Sequence, residues 1–178
     1  MMQLAVYLMI AKKYLIRSLL NLSLFFVFPD VYAEPNDVAT IEQVEYVATD
    51  SGFGGYTGIS TTAIKQEGDA NYAEISNLGN NKVDVGQYGT LQESRAFVIG
   101  DGNLISVTQV GFNNDSVTLV DGENNKVDLL QSGNGGSSNI TIEGSNNVTT
   151  VTQSGDNLSF TLNYNGNNAG LTIIQHGM

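Results

Sequence analysis

Six glutamines, Gln66, Gln87, Gln109, Gln131, Gln153 and Gln175, recur at a 22-residue spacing, with a first step of 21. A primary amide carries two N–H donors and a carbonyl acceptor, and it is neither an acid, a base nor a nucleophile at neutral pH. The chemistry open to amides at a fixed spacing is hydrogen bonding to copies of themselves. Stacked one above another, each donates to one neighbour and accepts from the other, which offsets the cost of burying it. Asparagines recur with the glutamines, at Asn71, Asn81, Asn103, Asn114, Asn125 and Asn147. The expectation is a Gln column and an Asn column, and a role in self-assembly rather than catalysis.

Other reactive side chains are sparse. His176 is the only histidine and there is no cysteine. A lone histidine without a partner at fixed spacing makes neither a metal site nor a triad base. Asp101, Asp121, Glu123 and Asp156 sit beside glycines, but calcium-binding β-rolls use a nine-residue unit with a periodic Asp, and Asp is not periodic here. These carboxylates read as gatekeepers against association. No catalytic residue, cofactor site or metal site is expected, and no small-molecule substrate.

The elements that position the amides follow from a second period. Gly100, Gly111, Gly122, Gly133, Gly144, Gly155, Gly166 and Gly177 fall at an 11-residue spacing, and Gly89, Gly79 and Gly68 extend the series with one residue deleted between Gly79 and Gly89. Before each Gly, four alternate positions avoid charge, as in Asn103, Ile105, Val107, Gln109 and then Asn114, Ser116, Thr118, Val120. Period-two alternation is the mark of a strand with one face buried. Gly and Asn in "GFNN", "GENN" and "GSNN" supply the positive φ of tight turns. The repeat is thus strand–turn–strand, a 22-residue unit in two 11-residue halves. The fold class expected is all-β: a two-sided β-solenoid of about 5.5 such repeats, with cross-β, amyloid-like stacking over residues 60–178. No capping segment follows "QHG", so an end open to further strands is expected.

Composition sets the compartment. Lys12, Lys13 and Arg17 precede an apolar run, Leu19 to Phe28, and then "VYA". That is the layout of a secretory signal peptide, residues 1–33, with Met1 or Met9 as initiator. The run is shorter than the ~20 residues of a membrane-spanning helix. Residues 34–59 read as an irregular leader, an export signal or a cap. The formal net charge of −11 argues against nucleic acid as a partner.

Six Gln-x-Gly motifs in 22-residue units, with "QEGDAN" at Gln66, "QVGFNN" at Gln109 and "QSGDNL" at Gln153 the fullest, resemble the curlin repeat of bacterial curli subunits. The resemblance spans about residues 60–178. It implies an extracellular amyloid fibre serving adhesion and biofilm matrix, exported through outer-membrane curli machinery. It also implies a second curlin-type subunit as partner. In one regular respect this sequence departs: where the second half-repeat of the family has its own Gln, it holds Asn77, Val98, Val120, Ile142 and Tyr164. Major and minor, nucleating subunit both stay open. The alternative is a monomeric secreted β-solenoid that binds a glycan, ice or a surface ligand. The outward series Thr108, Leu119, Leu130, Thr141, Thr152 is mixed for an ice-binding array.

Overall fold

The computed structural model describes Asp30–Tyr32, Val38–Val44 and residues 60–177. Among the described residues thirteen strands run in chain order: β1 (Asp30–Tyr32), β2 (Val38–Val44), β3 (Thr61–Asp69), β4 (Tyr72–Leu78), β5 (Lys82–Thr90), β6 (Glu93–Ile99), β7 (Leu104–Phe112), β8 (Asp115–Asp121), β9 (Lys126–Asn134), β10 (Ser137–Glu143), β11 (Val148–Ser154), β12 (Ser159–Asn165) and β13 (Gly170–His176). Odd-numbered strands form one sheet in the order β1-β3-β5-β7-β9-β11-β13, and even-numbered strands form the other. Every neighbouring pair is parallel. The chain is a β-solenoid in which each repeat contributes one strand to each sheet.

Register follows the repeat. Gln66 lies opposite Gln87, Gln87 opposite Gln109, and so on to Gln175. Each of the alternate positions from Ser60 to Gln153, Gly136 included, is buried, and their neighbours in sequence face outward. Ile64, Ile75, Ile105, Leu129, Ile140 and Ile142 interlock between the sheets as the apolar core. The equivalent positions of β12 and β13 are only half-buried.

One expectation changes. The stretch 34–59, expected to be irregular, contains β2, which pairs with β4 from Val38 opposite Tyr72 to Val44 opposite Leu78. Its sequence, VATIEQV, alternates like the later halves, but a long connection to β3 takes it off the register of the repeat. β1 falls within the expected signal peptide and pairs with β3, Asp30 opposite Ala63. The rest of 1–59 lies outside the described residues.

The outward series Thr108, Leu119, Leu130, Thr141, Thr152 also divides. A step of one half-repeat moves to the other sheet, so Thr108, Leu130 and Thr152 lie together on the odd sheet and Leu119 and Thr141 on the even one.

Candidate functional site

The corners place the amides. In each corner from Gly68 to Gly155 the glycine has positive φ, from 107° to 142°. The residue two places later is generally left-handed as well: Asn113, Asn124, Asn146, Asn157 and Asn168 at 55–59°, Gly102 and Gly135 at 70° and 67°. Asn tolerates that region better than most side chains. The glycines also stack: a Cβ on Gly122 would lie 1.8 Å from the carbonyl oxygen of Gly144. The missing residue between Gly79 and Gly89 is this left-handed one, because Gly79 is followed directly by Asn80 and Asn81. The ladder bridges the deletion, with Gly102 N–H donating to the Asn80 carbonyl at 2.7 Å.

With the corners stacked, the Gln side chains meet. Gln66 Nε2 donates to Gln87 Oε1 at 2.8 Å, Gln87 to Gln109 at 2.9 Å, and Gln109 to Gln131 at 3.0 Å. Gln131 donates to Gln153 at 3.0 Å and Gln153 to Gln175 at 2.8 Å. The second N–H crosses the core to the first carbonyl of a facing strand: Gln87 to Tyr72 O, Gln109 to Glu93 O and Gln131 to Asp115 O, at 2.8–3.0 Å. Each of these amides therefore ties rung to rung and sheet to sheet. Fully satisfied amides in a dry core fix register as well as stability.

The asparagines form two columns, which corrects the expectation of one. Asn81, Asn103, Asn125 and Asn147 open the odd strands. In this column Oδ1 accepts both the backbone N–H and the Nδ2 of the next Asn: 3.0 and 2.9 Å at Asn81, 2.9 and 3.1 Å at Asn103, 3.1 and 3.1 Å at Asn125. The remaining N–H seals a corner, as in Asn103 Nδ2 to Gly122 O at 2.8 Å. Asn71 and Asn114 open even strands instead, across the core. Their column is Asn71, Gln92, Asn114 and Gly136, joined through backbone N–H donors at 2.8–3.1 Å. Gln92 is the site residue that sequence reasoning missed. It takes an Asn place with a longer amide and reaches Gly111 O at 2.7 Å. Its place one repeat after Asn71 was the available signal. Asn77, in place of a second Gln column, binds Ser60 Oγ at 2.8 Å across the core and accepts from Asn81 at 2.9 Å.

The corner carboxylates do more than carry charge. Asp101 Oδ1 accepts the N–H of Asn80 at 2.8 Å, and Asp156 Oδ1 accepts the N–H of Asn134 at 2.9 Å. Asn167 does the same for Ser145. On the outer face of the even sheet, Arg95 pairs with Glu93 and with Glu74, the latter at 3.5 Å. Asp115 lies opposite Glu93. Partial desolvation and then the Glu93 charge push its carboxyl above the ordinary range, with Arg95 pulling the other way. His176 is on the outward side of β13. Among the described residues no group of three or more His, Cys, Asp and Glu could hold a metal ion.

Residues 79–111 and 100–133 match the family model of the curlin associated repeat. Residues 79–133 are thus similar to curlin associated repeats. No curated protein and no solved structure matches the chain. The matched span covers β5 to β8 and nearly all of β9, the middle of the stack, where the Gln column and the odd-strand Asn column both run unbroken. The chemistry of a curlin repeat can thus be stated for these residues. Gln closes a strand inside the core, Gly turns the corner, and Asn opens the next strand inside the core.

Proposed function

We propose that this chain is a secreted structural subunit that self-assembles into extracellular curli-type amyloid fibres for adhesion and biofilm matrix. The observation that carries the reading is the Gln column. It runs in parallel register from Gln66 to Gln175 and ends on β13, whose outer edge is unpaired among the described residues. Gln175 spends its acceptor on Gln153 and one donor on Ser159 O at 3.3 Å, leaving an N–H for a further rung. An open parallel edge is a template for the next strand. On this reading the ladder residues Gln66, Gln87, Gln109, Gln131, Gln153 and Gln175 carry the assembly, with the Asn columns sealing the corners. The chain is not an enzyme. Its partners are itself, a second curlin-type subunit and outer-membrane curli export machinery, reached through the periplasm.

The test uses the mature chain, residues 34–178, followed by thioflavin fluorescence, electron microscopy and fibre diffraction. Fibres with a meridional reflection at ~4.7 Å are expected. Gln153→Ala with Gln175→Ala lengthens the lag more than the outward pair Thr108→Ala with Thr152→Ala. A β-rich monomer that stays soluble for days would overturn the fibre reading and leave a monomeric solenoid.

A further inference from the structure

Stacking copies of this solenoid poses a counting problem. Strands alternate between the sheets, and among the described residues the repeats run from the odd sheet to the odd sheet: β3, β5, β7, β9, β11 and β13 against β4, β6, β8, β10 and β12. A second copy placed in the same orientation on the β12/β13 end pairs its β3 with β13 and keeps the Gln column continuous. Its β4 then lies two strand spacings from β12, and the even sheet has a one-strand gap. Turning the second copy by half a revolution closes the gap but carries its Gln66 to the opposite sheet and breaks the Gln column.

β2 resolves this. It pairs with β4 in full register along its whole length, so the even sheet also gains a sixth strand. We propose that Val38–Val44 is an assembly strand: it fills the missing place at the junction between copies, and its outer edge takes β12 of the neighbouring copy. The inference rests on the fibre reading above and goes beyond it by naming the junction. Carrying the register through the stack, Val38 to Val44 lie opposite Ser159 to Asn165, and Thr61 to Glu67 opposite Gly170 to His176. Gln175 meets the next copy's Gln66. Each subunit then contributes six rungs, about 29 Å at ~4.8 Å per strand.

Two observations support this junction. First, Asn157 to Met178 contain no Asp, Glu, Lys or Arg, in a chain of net charge −11. The rung that must approach another acidic copy is the uncharged one, so docking there meets the least repulsion. Second, β1 pairs with β3 along the edge that β13 of the neighbouring copy requires. With β1 in place the strand count is odd again. Cleavage after Ala33, expected from the sequence, removes β1 and leaves β2, giving six strands in each sheet.

Disulfide trapping tests the junction, since the chain has no cysteine of its own. Thr40 and Thr161 belong to one register position, and within a chain β2 and β12 are five strand spacings apart, about 24 Å, beyond disulfide reach. Fibres of residues 34–178 carrying T40C and T161C should oxidise to a ladder of covalent multimers on a denaturing gel. Fibres carrying A63C and T161C should not. Fibres that form but cross-link only through A63C and T161C show the half-turn stack, and fibres in which neither pair cross-links place β2 outside the junction. Either result overturns this inference and spares the fibre reading. Failure of both double variants and of the unsubstituted chain to form fibres overturns both.

Discussion

The rungs from β3 to β11 and the last rung, β12 and β13, are built from the same repeat and differ in how far its requirements are met. In the inner rungs the alternate positions are buried and the amides bond on both sides. In the last rung Phe160, Leu162, Tyr164, Leu171, Ile173 and Gln175 are half-exposed. The corner asparagines have become Leu158 and Ala169, and charge has disappeared. The inner rungs are finished by their own chain, whereas the last one exposes the surface that an added strand would bury. A repeat protein can thus separate stability from assembly by position while using one sequence pattern.

The largest effect expected from this contrast is at the corners. Gly122→Ala needs a left-handed backbone and drives a Cβ to 1.8 Å from a backbone oxygen that neighbouring rungs hold in place. A loss of more than about 4 kcal/mol is expected, enough to unfold the stack in a urea titration followed by circular dichroism. Gly166→Ala in the last corner meets only the end of the Tyr164 side chain, at 2.6 Å, which can swing away. Its midpoint should move little. Equal losses at the two glycines would break the distinction between finished and unfinished rungs.

Next come the glutamines. Gln109→Ala opens a gap in the core, strands the donor of Gln87 and the acceptor of Gln131, and should cost about 3 kcal/mol. Gln175→Ala removes one ladder bond at a half-exposed position and should cost under about 1 kcal/mol in the monomer. Its effect belongs in fibre elongation. A smaller gain sharpens the picture of the inner rungs. The hydroxyl of Thr118 is buried with no hydrogen-bond partner. Thr118→Val keeps the shape, removes the orphaned group and should raise stability in the same urea titration by about 1 kcal/mol.

Much of this was legible in the sequence, because a solenoid writes its geometry as a period. The half-repeat spacing of Gly and the full-repeat spacing of Gln pointed to the corners, the alternation and the core positions. What stayed hidden depended on which sheet a residue joins. A two-sided coil sets successive halves on facing sheets, but a shared residue type masks the division: Asn71 and Asn114 look like Asn103 and Asn125 although the core lies between them. Gln92 was hidden by type, since its amide takes an asparagine's place. Asp101 and Asp156 look like plain charges in the sequence because their hydrogen bonds to backbone N–H groups one rung away exist only once the corners stack. β2 was hidden because the connection through 45–60 replaces corners that elsewhere are far shorter.

The smallest expected effect concerns charge, which only the inner rungs carry. Asp115 and Glu93 lie opposite each other on adjacent strands, with Arg95 paired to Glu93 and Glu74 nearby. Folding raises the Asp115 pKa, so the folded state binds the proton more readily than the unfolded chain, where the value is about 3.9. Stability therefore rises as pH falls through the raised value and levels off below the unfolded one. Asp115→Asn removes this dependence: it should raise the urea midpoint slightly at pH 7 and leave it unchanged near pH 3. Because the group is partly solvated, the gain stays small and shrinks with added salt. A larger gain at pH 3 than at pH 7 would show that the carboxylate stabilises the even sheet, which would reverse the role given to its contact with Glu93.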